Sequence, residues 1–270
     1  MSAAAKGATA VGPALGLAAP PSVDSGSGTR AAGQGDERVI DRRSADDEAI
    51  AAMSDAERAA LWRQRLHEAE AGLTRFLVAR GPAADLKAWF GLKAEIFADL
   101  PMSSTHASAA WQRIFFRGQA LMERFLVSRY GEGILADWAA SIAEVHRTVE
   151  PDRDGGAADP VRRIARQAEL YGSQYRVHVA EGSGPAAVAS VNITHCAIWD
   201  YREQARSNGV RLTLASPCTY CTKAMSANVR AKGYEVSYQL REDRSGHGCH
   251  WEATAPDTAP NTAPNTAQEA

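Results

Sequence analysis

The chain has 270 residues and a formal net charge of −2, with 30 basic and 32 acidic residues interspersed along it. No Lys/Arg run or basic face emerges, which argues against nucleic acid as a partner. No apolar run approaches the roughly 18–20 residues that a membrane span needs, which argues against the membrane as well. The apolar N-terminal stretch is broken by Gly12, Pro13 and Gly16 and forms no signal-peptide core. The expected compartment is therefore the cytoplasm, where thiols stay reduced.

Residues 1–45 are rich in Ala, Gly, Ser and Pro and carry few large apolar side chains. Such a segment buries too little surface to offset the entropy of ordering, so it is expected to be a disordered tail. The polar Thr-Ala-Pro repeats of 256–270 read the same way. Between them, 46–255 is expected to form a single α+β domain, with a helical half at 46–175 and a cysteine-bearing half at 176–255.

Ser54 followed by Glu57 is a capping box, and a helix over Ala56–Ala79 places Leu61, Leu66, Leu73 and Phe76 near helical spacing until Gly81-Pro82. A second helix fits Ala83–Leu100, with Trp89, Leu92, Ile96 and Phe97 on one side and Pro101 at its end. A third runs from about Ser104 to Tyr130, a fourth over Glu132–Val149, and Pro160 opens a fifth that reaches about Tyr175. The period then changes to two. Tyr175–Ala180 and Val188–Thr194 alternate around a turn at Gly182–Pro185 and predict a hairpin. Helices over Cys196–Asn208 and Cys221–Lys232 follow, then a strand at Tyr234–Leu240, a turn at Gly246–Gly248 and a last strand at Cys249–Ala253. The whole predicts an N-terminal helical layer packed on a small, mainly antiparallel sheet with short helices.

All four cysteines fall between 196 and 249: Cys196, Cys218-Thr-Tyr-Cys221 and Cys249. Each is expected at an element boundary, where chain ends converge and sites are built. Three chemistries fit. Cys196 at a helix N-terminus would have a lowered pKa, and with His195 before it and Asp200 one turn on, the parts of a thiolate nucleophile with acid–base support are present. Four thiolates, Cys196, Cys218, Cys221 and Cys249, also suit zinc or an iron–sulfur cluster. The Cys218/Cys221 pair has the spacing of a reversible disulfide, although no thioredoxin-like βαβ context surrounds it. The plain alternative is that individual cysteines are small buried residues.

Weaker candidates are His247 and His250 beside Cys249, which could offer imidazole ligands or a base and by default read as solvated turn residues, and Trp199 and Trp251, which could wall an apolar pocket and by default read as core. His67, His106 and His146 read as surface or satisfied side chains. Arg113, Arg117 and Arg124 project from the third helix, where a solvated face is the default and a substrate carboxylate the sharper reading.

The order of Ile193-Thr194-His195-Cys196-Ala197-Ile198-Trp199, then Cys218-Thr219-Tyr220-Cys221, then Gly246-His247-Gly248-Cys249-His250-Trp251 resembles the L-2-amino-thiazoline-4-carboxylic acid hydrolase family over roughly Ala83 to Ala253. In that family a strand runs into one Cys, a second Cys stands in a Cys-x-x-Asp context, and a third follows a Gly. The resemblance implies a hydrolase that opens a small nitrogen- and sulfur-containing ring by attack at an amidine-like C=N carbon, with Cys196, Cys218 and Cys249 as site cysteines. Cys221 departs from the pattern by standing where the family has Asp. The expected function is therefore hydrolysis of a small cyclic C–N substrate at a cysteine-rich site. A non-catalytic module with a structural four-cysteine zinc or iron–sulfur site, binding metal or a small molecule, is the alternative. The expected partner is a small-molecule substrate, and the sequence sets no oligomeric state.

Overall fold

The computed structural model describes residues 52–102, 107–151, 153, 155–179, 188–243 and 246–256. The expected tails (apart from Pro256), the Gly182–Pro185 turn and His106 lie outside the described residues.

Helix α1 (Asp55–Arg80) begins at the expected capping box: Ser54 Oγ accepts the Glu57 N–H, and the Glu57 carboxylate accepts the Ser54 N–H at 2.8 Å. Helix α2 (Ala83–Ile96) ends four residues short of the expected Leu100. Pro101 disfavours helical backbone in the residue before it, and the chain unwinds ahead of that constraint. Helix α3 (Ser108–Tyr130) is followed by a single 3-10 turn at Glu132–Ile134 and by α4 (Leu135–Val149). Helix α5 (Ala158–Tyr171) stops before the expected Tyr175 because Gly172 takes the left-handed conformation at φ +84° and the Ser173 N–H turns back to Ala168 O at 2.9 Å.

Four antiparallel strands follow: β1 (Gln174–Val179), β2 (Val188–His195), β3 (Glu235–Asp243) and β4 (Gly246–Thr254), in the order β1-β2-β4-β3. Helices α6 (Ala197–Ser207) and α7 (Cys218–Ala231) connect β2 to β3, so β4 returns into the middle of the sheet. The fold is thus α+β, a helical layer followed by a small antiparallel sheet.

Two expectations about the cysteine-bearing half are corrected. Cys218 and Cys221 lie in the first turn of α7, not in a loop ahead of it, since the helix already starts at Cys218. Gly246–Gly248 is the start of β4 rather than a turn, paired residue by residue with Arg241–Asp243, so Cys249 sits within a strand and not at its beginning. Gly248 is needed there for closeness: a Cβ would stand 2.4 Å from Ile193 O on the neighbouring strand.

The molecule has two hydrophobic cores. In the helical layer, Trp62, Leu66, Leu73, Trp89, Leu126 and Trp138 are fully or almost fully buried. Gly72 on α1 admits α4, where an added Cβ would lie 2.8 Å from Ile142 Cα. The second core lies between the sheet and helices α5 and α7. It joins Val177, Ala189, Val191, Trp251 and Ala253 of the strands to Val161, Ile164, Ala165 and Ala168 of α5 and Val229 of α7. Its residues share one sheet face because Val177, Val191 and Trp251 are direct cross-strand partners. Among the described residues no helix is long and apolar enough to cross a membrane.

Candidate functional site

The three segments singled out by their cysteines meet in space. The Cys196 N–H donates to His247 O at 2.8 Å, tying the end of β2 to the start of β4. Ile193 and Cys249 are cross-strand partners. Trp199 Nε1 donates to Cys218 Sγ at 3.4 Å, which ties α6 to the first turn of α7, and Trp251 Nε1 donates to Cys249 Sγ at 3.2 Å. Both tryptophans thus support sulfur atoms, a use that core packing alone did not suggest. His247, read as solvated, stacks on Trp199 with ring centroids 3.8 Å apart.

The electrostatics agree with the convergence of the sulfurs. Burial pushes the Cys221 thiol well above its ordinary range, and Cys249, Cys196 and Cys218 add to the shift. Burial also raises Cys249, to about 11, against the opposing Trp251 hydrogen bond. Cys196 occupies the N-cap position of α6 without a side-chain capping hydrogen bond, and the nearby backbone N–H groups of Trp199 and Ile198 act to lower its pKa as the helix terminus should. Burial nevertheless outweighs them and the net shift is upward. The expectation of a low-pKa thiolate at Cys196 is therefore corrected: the thiol is held protonated by a poorly solvated setting.

The expected His195–Asp200 pair forms, with Nε2 and Oδ2 2.6 Å apart. It faces solvent, Asp200 being 61 % exposed, and does not line the cavity described next. Among the described residues no three His, Cys, Asp or Glu side chains are arranged to hold a metal ion. Two of the four sulfurs, those of Cys218 and Cys249, accept indole N–H groups.

A cavity of about 210 Å³ lies between the helical layer and helices α5, α6 and α7. Cys221 is the one cysteine of the four on its wall, beside Ile198, Tyr201, Pro217, Tyr220 and Met225. Arg65, His146, Arg163, Gln167 and Asn228 also line it. Arg65 reaches Glu68 at 2.8 Å, Glu150 at 2.9 Å and Gln167 at 3.1 Å, and Arg163 pairs with Glu150. His146 Nδ1 lies 2.7 Å from Glu68. Burial lowers the His146 ring to about 4 despite that carboxylate, so the imidazole is neutral at physiological pH. Burial alone would raise Glu68, but the contact with His146 and the charge of Arg65 outweigh it and hold its pKa at about 2. Asn228 is buried, and its Oδ1 has no hydrogen-bond partner among the described residues.

Four further arginines line the same space: Arg117, Arg124, Arg202 and Arg211. Arg202 lies 3.6 Å from Glu123. Arg124 and Arg211 are exposed and mark the open side. Two of the three arginines picked out on the third helix, Arg117 and Arg124, thus border the cavity, while Arg113 is exposed away from it. Arg65, Arg163 and Asn228 are not singled out by the sequence. The available signal for Arg65 is a charge inside the apolar stripe Leu61, Trp62, Leu66 and Ala69. Comparison of the chain with family models, curated proteins and solved structures gives no match.

Proposed function

We propose that the chain is a cytoplasmic hydrolase that opens a small cyclic C–N substrate of amidine or thiazoline type at Cys221. The observation that carries this reading is a cysteine-rich cluster with one member, Cys221, on the wall of a cavity lined by arginines and open at Arg124 and Arg211. The space is of small-molecule size, and the arginine excess favours a substrate with an anionic group.

A thiol held protonated suits a basic substrate. The amidine nitrogen takes the Cys221 proton, which generates a thiolate and an amidinium side by side in a poorly solvated space. The sulfur then adds to the C=N carbon, and the electron pair of that bond moves to nitrogen. Collapse of the adduct re-forms C=N on the exocyclic nitrogen and breaks the ring C–N bond, the proton lost from the exocyclic nitrogen going to the departing ring nitrogen. Water then adds to the sulfur-bound carbon and expels Cys221, one proton of that water restoring the thiol. Cys196, Cys218 and Cys249 stand behind Cys221 and set its environment. The expectation that Cys196 is the nucleophile gives way to Cys221 because Cys196 does not reach the cavity wall.

Hydrolysis of 2-amino-thiazoline-4-carboxylate by the full chain tests this. Cys221→Ser should lower kcat by about 100-fold or more while the melting temperature stays close to that of the parent. A parent chain with no turnover would overturn the substrate class. An active Cys221→Ser beside an inactive Cys196→Ser would overturn the assignment of the reacting sulfur.

A further inference from the structure

The open edge of the sheet carries a self-complementary sequence. Strand β3 (Glu235–Asp243) is the last in the order β1-β2-β4-β3, so among the described residues its outer backbone groups have no strand beside them. It runs nine residues in unbroken register with β4 and contains no proline, lysine or bulge, while its charged residues, Glu235, Arg241, Glu242 and Asp243, are confined to its two ends. Its face toward the helices carries Val236, Tyr238 and Leu240. Tyr238 and Leu240 remain 44 % and 52 % exposed there, whereas Trp251, the cross-strand partner of Tyr238, is buried and Cys249, the partner of Leu240, is half-buried.

We infer that two copies of this chain pair antiparallel through β3, with a two-fold axis at Tyr238, into one continuous eight-stranded sheet. Directly opposite residues of an antiparallel pair share a face, so only registers that match like faces are allowed. The register centred on Tyr238 sets Glu235 opposite Arg241 twice, Val236 opposite Leu240 twice, and Tyr238 opposite its own copy. Shifting the centre to Gln239 sets Glu235 against Asp243 and Val236 against Glu242. Shifting it to Ser237 leaves Arg241 opposite Gly233. The Tyr238 register alone of these three joins opposite charges while keeping apolar residues together, and a two-fold interface requires this self-complementarity.

The test is the molar mass of the full chain in solution, by light scattering or sedimentation over a wide concentration range. The expected result is a species of about twice the 28.9 kDa chain mass. Arg241→Glu lies on the exposed strand surface, creates two like-charged pairs and should weaken association by about tenfold or more. The double variant Glu235→Arg with Arg241→Glu restores both pairs with inverted polarity and should recover the dimer. A chain that is monomeric throughout overturns the inference. So does a dimer that Arg241→Glu leaves unchanged, or one that the double variant fails to restore.

Discussion

The two cores are built from different side chains. The helical layer buries Trp62, Trp89, Trp111 and Trp138 with leucines and phenylalanines. The core under the sheet is made largely of Ala and Val, with Trp251 as its one buried tryptophan. Large interlocking side chains give a layer that holds its shape, whereas small ones bring α5 close to the strands. The cysteine cluster and the buried charges lie at the border between the two. Cysteines and buried charges therefore sit where the two kinds of packing meet.

The largest expected effect falls on the helical layer. Trp62 is 1 % exposed and touches the rings of Phe115, Phe116 and Tyr171, so Trp62→Ala should cost about 3–5 kcal/mol in chemical denaturation. In the sheet core the sensitive change runs the other way. Ala168→Leu overfills a space shaped for a methyl group, with an expected cost of about 1–3 kcal/mol. Equal tolerance of enlargement in both cores would break the contrast.

Acid should act at the border. The folded chain keeps His146 neutral down to about pH 4, whereas the unfolded chain takes up that proton near 6.5. Stability is therefore fully present above pH 6.5 and falls as the pH drops toward 4. Glu68, at about 2 when folded against 4.5 ordinarily, adds a second loss between pH 4.5 and 2. Thermal melts across this range should show both windows, and His146→Gln should flatten the first. An unchanged profile in that variant would remove His146 from the account.

Smaller effects concern the thiols and the open side of the cavity. Cys249, raised to about 11 from 9, should alkylate on the order of 100-fold more slowly at pH 7 than a free thiol. Peptide mapping after brief iodoacetamide treatment measures this, and rapid labelling of Cys249 would contradict its burial. If Arg124 and Arg211 attract an anionic substrate, replacing either by Ala should raise KM several-fold with kcat little changed.

Much of this organisation is legible in the sequence because it depends on local rules. The Ser54–Glu57 box, the 3.6-residue apolar spacing of α1 and α3 and the alternation in β2 define the elements and their class. Gly172 is less conspicuous as a helix stop, because the helical spacing alone does not show that the chain turns left-handed there. The paired start of β4 resembles a turn because Gly246 and Gly248 are turn-type residues. The clustering of cysteines is visible, but which sulfur reaches the cavity is not. That depends on α7 starting at Cys218, which places Cys221 in its first turn on the cavity side. The sign of the Cys196 shift is hidden for a similar reason: the helix terminus is local, whereas the burial that overcomes it comes from tertiary packing.

The most direct test of the account is to trap the sulfur that reacts. The full chain is mixed with 2-amino-thiazoline-4-carboxylate, quenched in acid during turnover, and mapped by peptide mass spectrometry. A substrate-derived adduct on Cys221, absent from Cys221→Ser, is the predicted result. An adduct on Cys196, or turnover by Cys221→Ser at the parent rate, would contradict the claim that Cys221 is the sulfur that meets the substrate.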